Sequence, residues 1–350
     1  MNKRDSVIGA FNHTRAGEIP YDVDFTEKMR GIYAEYTGDA EFEKKLGNHT
    51  AGAYYSGFTP GISGAVEGKP DHVADDFGVV WNRSVDKDIG VIEGLVLGEP
   101  DLRAFRTPPI DEGALRRSFE NLIAGAAPRP GSPGSGVFTY GSIGFSMFER
   151  AWTLRGMENF LTDMLAEPGF AHGLLDAICD FNMEIIGIGL SYGIDGFYFG
   201  DDWGQQRGLI MGPELWRKFI KPRIARMYGA VKSEGKYVIQ HSCGDISEIF
   251  GDLIDIGLDC YQTFQPEIYD IRAVKKEYGP ALSFWGGIST QKLLPFSTPQ
   301  GVIDKTVEIM RVMGENGGYI AAPTHSIPGD VPPENVEAML HVFQNQDKYL

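Results

Sequence analysis

The sequence has few cysteines, no long hydrophobic run and a deficit of positive charge. Three cysteines in 350 residues do not make the disulfide framework of a small secreted protein. No apolar run approaches the roughly 20 residues that a membrane-spanning helix needs, and residues 1–17 contain no apolar core of the kind that signal peptides have. We therefore expect a protein of the reducing cytoplasm with no membrane partner.

The excess of acidic residues argues against two classes of binding partner. The chain contains 32 Lys and Arg against 48 Asp and Glu, which gives a formal net charge of −16. Nucleic-acid binding needs clustered basic side chains, so this balance argues against nucleic acid as the main partner. It argues equally against an anionic membrane surface. The hydrophobic fraction of 42% is typical of a globular protein.

The sequence also lacks a G-x-G-x-x-G segment after its first predicted strand, and with it the fingerprint of a dinucleotide-binding fold. What it has instead is an alternation of short apolar runs and longer amphipathic stretches, together with 45 glycines for tight turns. The runs that predict strands are 21–25, 137–143, 195–202, 236–244, 259–267, 282–288 and 318–325. The stretches that predict helices are 213–233, 246–256, 268–278 and 299–315. Repeated strand–helix units of this kind predict an α/β fold with a parallel sheet.

Nearly every predicted strand ends in a polar or glycine cluster, and this favours a (β/α)8 TIM barrel, whose active site lies at the carboxyl ends of the strands. The segment 40–135 is rich in Gly, Pro and Asp and has weak periodicity. We interpret it as a helical and loop insertion that covers or flanks the barrel, with a turn-rich connector at 129–136. The whole chain, 1–350, is then a single barrel domain.

The sharpest candidate site is His241-Ser242-Cys243-Gly244, at the end of a predicted strand. Side chains at i and i+2 share one face of a strand, so His241 and Cys243 project together. Imidazole and thiolate are zinc ligands, and a catalytic zinc uses three protein ligands. His325, at a later strand end, is the third candidate ligand, and Asp202 and Glu267 are further oxygen candidates. The alternative is a hydrogen-bonding histidine beside a small buried cysteine.

Carboxylates end other predicted strands. Asp201 and Asp202 are adjacent, which suggests that one acts as an acid or base; the alternative is that one caps the following helix. Glu267 is a second candidate acid or a residue at a helix N-terminus, and Gln205 would orient the proton donor. The turn 75–78 is interpreted as a surface turn.

These motifs coincide with those of a known family. The chain resembles the uroporphyrinogen decarboxylase superfamily, which includes the corrinoid-dependent methyltransferases. The segments that carry the resemblance are FERAWTLRG, GIDGFYFGDDWGQQ, PELWRKFIKP, HSCGD, QPEIYDI, FWGGISTQKLLP and GGYIAAPTHSIPGDVPPENVEAM. The aromatic residues of 145–152 are interpreted as core packing. The resemblance implies a barrel with an active-site funnel at the strand carboxyl ends, often in a homodimer.

The two branches of the family imply different chemistry. The methyltransferase branch holds zinc on an H-x-C pair, matched by His241 and Cys243, and on a later cysteine, where this chain has His325. The decarboxylase branch works without metal; its late histidine matches His325 and its early aspartate matches Asp75 or Asp76. Its N-terminal arginine-bearing motif is absent from this sequence.

Three hypotheses follow. The leading one is a zinc-dependent methyltransferase that moves a methyl group between a small O- or N-methylated substrate and a separate corrinoid protein, with Asp202 or Glu267 as the proton donor. The second is a metal-free decarboxylase that uses Asp202 and His325 as acid and base. The third is a non-catalytic protein that binds a corrinoid or a tetrapyrrole.

Overall fold

The computed structural model describes residues 2–14, 17–55, 57–85, 87, 89–127 and 136–350. The strands are β1 (Thr50–Tyr55), β2 (Gly64–Val66), β3 (Lys69–Ala74), β4 (Val80–Asn82), β5 (Val91–Glu93), β6 (Phe138–Ile143), β7 (Gly196–Gly200), β8 (Gly204–Gln205), β9 (Gly208–Leu209), β10 (Tyr237–His241), β11 (Cys260–Phe264), β12 (Ser283–Ile288) and β13 (Tyr319–Pro323). The α-helices are α1 (Lys3–Phe11), α2 (Glu27–Thr37), α3 (Glu112–Ala126), α4 (Phe148–Arg155), α5 (Met157–Ala166), α6 (Pro168–Leu190), α7 (Gly212–Leu215), α8 (Lys221–Ser233), α9 (Phe250–Asp255), α10 (Ile271–Glu277), α11 (Leu293–Phe296), α12 (Pro299–Met313) and α13 (Pro333–Gln344).

The chain divides into two compact units, each of which alternates strands with helices. The first unit consists of Met1–Ala51, Ala126–Thr139 and Leu258–Leu350, and the second of Gly52–Gly125 and Tyr140–Gly257. The prediction of one barrel domain over 1–350 stays a prediction.

In the second unit, β7 pairs in parallel with β6 on one side and β10 on the other. The helix α8 packs on β10 and on α6. Phe199 stacks on Tyr228 of α8, and both rings are buried. One face of these strands is therefore closed by helices, and side chains that alternate with Phe199 face the other way.

In the first unit, β12 pairs in parallel with β11 and with β13. The helix α10 begins where Asp270 accepts hydrogen bonds from the N–H groups of Arg272 and Ala273. The helix α12 begins with Pro299 after the cap residue Thr298, as proline favours the first helical position. The α/β class and the parallel pairing that the sequence predicts are confirmed.

The predicted strand at 21–25 forms only isolated parallel bridges, of Tyr21 with Ala321 and of Phe25 with Ile327. Between these bridges, the side chain of Asn48 bonds to both backbone polar groups of Val23. It accepts a 3.1 Å hydrogen bond from the Val23 N–H and donates a 2.9 Å hydrogen bond to the Val23 carbonyl oxygen. A side-chain amide thus replaces part of a strand ladder here.

The segment 40–135 contains a four-stranded antiparallel sheet in the order β2-β3-β4-β5, in addition to the helices and loops that its composition predicts. Its strands are three to six residues long, and of their residues only Trp81 is buried, so the period-two pattern of a half-buried strand is weak. Of the predicted connector at 129–136, residues 129–135 lie outside the described residues.

The interpretation of 75–78 as a surface turn is wrong, because Asp75 and Asp76 are 2% and 8% exposed. Asp75 forms a buried ion pair with Arg150, at 2.6 Å, and accepts a hydrogen bond from the Trp81 indole at 3.1 Å. Arg150 also lies over the ring of Phe77, 4.4 Å from its centroid. The local sequence does not predict this burial, because the partner Arg150 is 75 residues away in the chain.

None of the helices in the described part of the chain is both long and apolar enough to cross a membrane.

We predict that Asp75→Ala destabilises the protein strongly. The change leaves the Arg150 charge buried without its partner, which costs about 3–5 kcal/mol, and the free energy of unfolding in urea measures it. Asp101→Ala is the matched control, since its pair with Arg103 is exposed and we expect little change there. Equal losses for the two variants would contradict this account.

Candidate functional site

The neighbouring strands β7 and β10 bring polar residues together just past their carboxyl ends. In the parallel register, Gly200 lies opposite His241. Two residues further along each chain, the N–H of Cys243 donates a 2.7 Å hydrogen bond to Asp202 Oδ1. This hydrogen bond between the two loops holds Asp202 beside Cys243.

His241 faces away from the helix that packs on its strand. The preceding residue, Gln240, accepts a 2.6 Å hydrogen bond from the Tyr228 hydroxyl of α8, so His241 points to the opposite face. Its Nε2 lies 3.3 Å from Asp202 Oδ1 and 3.6 Å from Cys243 Sγ. One ligand atom from each of these three residues lies within 4.8 Å of the others.

Asp202 is ionised at neutral pH. Burial raises its pKa, but the hydrogen bond and charge of His241 and the N–H of Cys243 outweigh burial and hold the pKa of Asp202 at about 2. For His241, burial lowers the pKa, but nearby acidic groups, Tyr198 and Cys243 first, raise it well above its ordinary value. Because metal ligands must be deprotonated, cation binding at this cluster would release the imidazolium proton.

Glu149, near the start of α4, is a further carboxyl at the site. Its burial, and then the charges of Asp202 and Asp201, raise its pKa well above the ordinary value. Ionisation of Glu149 is therefore disfavoured, whereas that of the nearby Asp202 is favoured. No local pattern singles out Glu149, although it lies in the FERAWTLRG segment that carries the resemblance, because the aromatic residues around it are typical of core packing.

Asp201 is fully buried and caps a helix. Its carboxylate accepts hydrogen bonds from the N–H groups of Met147, Phe148 and Glu149, at 2.8–3.2 Å, and from the Trp203 indole. These N–H groups have no partner within α4, so the capping satisfies them. The helix that Asp201 caps precedes it in the chain, whereas the alternative from the sequence is a cap on the helix that follows. A catalytic role of Asp201 stays a prediction.

The loops after β7 and β10 touch at two glycines. A Cβ on Gly244, which has φ +79°, would lie 2.2 Å from the carbonyl carbon of Gly204, so no larger residue fits. The N–H of Asp245 donates a 2.8 Å hydrogen bond to the carbonyl oxygen of Gln205. The Gln205 side chain itself is exposed, and its role as an orienting residue stays a prediction.

A row of tyrosines continues from His241 along the same face. The ring of Tyr198 lies 6.2 Å from the imidazole and stacks on Tyr140 at 5.7 Å. The hydroxyl groups of Tyr140 and Tyr54 lie 2.8 Å apart, and Tyr54 is 59% exposed. A row of aromatic rings in contact therefore connects the cluster with a solvent-exposed tyrosine.

The two remaining candidates belong to the first unit. Glu267 follows β11; one carboxylate oxygen accepts a hydrogen bond from the Ser289 hydroxyl, and the other is buried with no partner among the described residues. His325 is exposed and follows β13. Neither belongs to the cluster of Asp202, His241 and Cys243, and their catalytic and metal-binding roles stay predictions.

The donor atoms of the cluster fit a zinc ion. They are an imidazole nitrogen, a thiol sulfur and an ionised carboxylate oxygen, the three ligand types that Zn²⁺ takes in proteins. Three protein ligands are also the number that a catalytic zinc site has, with an open position for substrate.

Comparison with known proteins places these residues in a family context. The family model described as Uroporphyrinogen decarboxylase (URO-D) matches residues 145–346, more than half of the chain. Among curated relatives, the methylated-thiol–coenzyme M methyltransferase of Methanosarcina mazei is 25% identical over 191 residues, covering 55% of this chain and 49% of that protein. The methylcobamide:CoM methyltransferase MtaA of Methanosarcina barkeri is 29% identical over 131 residues, covering 37% and 36%. The matched part of the chain thus spans half or less of the length of these relatives.

A solved structure matches the whole chain. A methyltransferase from Methanosarcina mazei superposes with a TM-score of 0.75 at 15% identity, over 99% of both chains. At this identity the likeness concerns the fold, and it confirms the (β/α)8 fold class predicted from the sequence.

We predict that the protein binds one zinc ion per chain through the cluster. His241→Ala and Cys243→Ala should each weaken zinc affinity by more than the roughly 10- to 100-fold that changes behind the ligands cost, as measured by titration against a competing chelator. After replacement by cobalt, the sulfur-to-cobalt charge-transfer band should appear in the unmodified protein and not in Cys243→Ala.

The control is Cys179→Ala, a buried cysteine on α6 of the same unit, which should retain the affinity of the unmodified protein. Unchanged zinc affinity in Cys243→Ala would contradict the assignment.

Proposed function

The chain belongs to the uroporphyrinogen decarboxylase family, and from this premise we propose that it is a methyltransferase. It moves a methyl group between a small O- or N-methylated substrate and a corrinoid carried by a partner protein. The convergence of Asp202, His241 and Cys243 at one strand end carries the proposal, because a metal-free decarboxylase has no need of a thiol, an imidazole and a carboxylate in this arrangement.

The names of the two methyltransferase relatives support the same reaction class, whereas other relatives are uroporphyrinogen decarboxylases. One of the two methyltransferases takes its methyl group from a methylcobamide. The His241–Cys243 pair is the H-x-C pair that the resemblance implies for zinc. Zinc on this cluster would supply a Lewis acid for the heteroatom that carries or receives the methyl group.

The chain's own carboxyl groups divide the remaining work. Asp202, with a pKa of about 2, has no proton to give at neutral pH, so it serves as an anionic ligand. The raised pKa of Glu149 makes this residue the proton donor. In demethylation, a reduced corrinoid on the partner protein would accept the methyl group as the carbon–heteroatom bond breaks, and Glu149 would give its proton to the departing oxygen or nitrogen.

The tyrosine row shapes the route to this chemistry. Tyr198 and Tyr140 lie between the exposed Tyr54 and His241, so a small substrate approaches along aromatic faces. Their bulk also limits the water around Glu149 and the cluster, and a low dielectric strengthens the charge interactions there.

The proposal extends to the cellular compartment, the oligomeric state and the partner of the enzyme. We expect it to act in the cytoplasm, where a reduced corrinoid and a free thiol ligand persist, and to form a homodimer, as the resemblance implies. The corrinoid protein is its expected macromolecular partner.

The second candidate function is a metal-independent decarboxylase, which the description of the matching family model favours. This function requires that the protein releases carbon dioxide from a carboxylated tetrapyrrole and that chelators leave this release unchanged. The third, a binding protein, requires tight corrinoid binding without transfer to any acceptor.

We predict that the zinc-loaded protein exchanges methyl groups with free corrinoids. Two assays follow the corrinoid absorbance: demethylation of a panel of O- and N-methyl compounds by cob(I)alamin, and transfer from methylcobalamin to coenzyme M. Glu149→Gln should lower kcat by roughly 100-fold, as expected for loss of a general acid, while zinc content stays that of the unmodified protein.

The matched control is Glu158→Gln, an exposed glutamate in the same unit, which should leave kcat unchanged. Carbon dioxide release from uroporphyrinogen without any methyl transfer would favour the decarboxylase instead. Loss of zinc in Glu149→Gln would show that this residue is a ligand and not the acid.

A further inference from the structure

A cavity of about 550 Å³ lies in the first unit, beside the residues that lead into β12 and β13. Its walls come from α10, from the end of α12 and from the residue His13, which follows α1. It shares no residue with the cluster at Asp202, His241 and Cys243.

The wall of this cavity is cationic in a chain whose net charge is −16. Three basic residues of α10, Arg272, Lys275 and Lys276, line it against one acidic residue, Glu315. They stand at spacings of three and four along α10, which places them on one face of the helix.

These cations are incompletely neutralised by the described part of the chain. Lys275 donates a 2.6 Å hydrogen bond to the carbonyl oxygen of Gly317, and its burial lowers its pKa to about 8. Arg272 has only a distant ion pair with Glu308, at 3.8 Å. No described carboxylate lies within ion-pair distance of Lys275, and Glu315 acts on it only through its charge. A half-buried ammonium in this situation gains from an anion that reaches it.

The histidine on the wall adds an unused polar atom. His13 Nδ1 is buried and has no hydrogen-bond partner among the described residues. A Cβ on Gly318 would lie 2.7 Å from His13 Nδ1 and 3.5 Å from Lys275 Nζ, so the two nitrogens adjoin the same glycine. Buried nitrogens of this kind normally have partners, and a bound oxyanion would provide one.

We propose that this cavity binds a small molecule through a multiply charged phosphate group. A single carboxylate would neutralise only one of the three cations, whereas phosphate and pyrophosphate present several oxygens to Arg272 and the lysines at once. The volume exceeds that of the phosphate itself, so part of the ligand beyond the charged group fits inside. This inference is independent of the proposed methyltransferase activity.

Isothermal titration of the full-length protein with pyrophosphate, at low ionic strength, tests the proposal. We expect saturable binding at one site per chain, weaker binding of inorganic phosphate and none of acetate. Lys275→Met and Arg272→Gln should each weaken pyrophosphate binding roughly tenfold, the effect of losing one charge-assisted hydrogen bond. Tighter binding of citrate than of pyrophosphate would overturn the phosphate assignment.

The control is Lys44→Met, an exposed lysine of the same unit that lies outside this cavity and pairs with the exposed Glu41, which should bind pyrophosphate like the unmodified protein. Because Lys275 also bonds to the backbone, circular dichroism and thermal melting establish that its variant is folded. The exposed Arg272 has no such structural bond, so its variant decides the question if Lys275→Met unfolds. Unchanged affinity in Arg272→Gln, or no saturable binding of pyrophosphate, would overturn the proposal.

Discussion

The candidate site depends on one buried carboxylate, that of Asp201. It accepts hydrogen bonds from three consecutive N–H groups at the start of α4 and from the Trp203 indole. A buried charge of this kind persists only where donors surround it, and here the donors come from both sides of the strand end. The position of α4 relative to β7 is therefore set by electrostatics as much as by packing.

Two consecutive residues in the first turn of α4, Glu149 and Arg150, depend on the position that Asp201 gives this helix. Glu149 lies close enough to Asp202 and His241 for their charges to act on its carboxyl group. The next residue, Arg150, points elsewhere and forms the buried pair with Asp75 of the antiparallel segment. Since consecutive helical side chains point about 100° apart, one turn can serve the site and the segment 40–135 together. Loosening the cap at Asp201 would disturb both.

The sequence predicts the parallel strands and the His241–Cys243 pair because both depend on local spacing. Alternation along β10 is enough to place these two side chains on one face. The sequence does not predict Glu149 or the burial of Asp75, because each depends on a partner more than 50 residues away. Nor does composition reveal the antiparallel strands, which are short and partly exposed. Local patterns thus predict the elements, and distant charge pairs decide which carboxylates are functional.

Three neighbouring carboxyl groups, Asp201 and Asp202 after β7 and Glu149 on α4, differ in ionisation and in bonding because their surroundings differ. Asp201 has its acceptor sites filled by N–H groups and has none left for a ligand. The hydrogen bond and charge of His241 help to hold the pKa of Asp202 at about 2, whereas burial, and then the charges of Asp202 and Asp201, raise the pKa of Glu149 well above its ordinary value. An anion and an acid held side by side are what a transfer reaction with a departing heteroatom needs. Burial, and after it the charges of the two aspartates, therefore disfavours ionisation of Glu149 and separates this carboxyl group from the ionised Asp202.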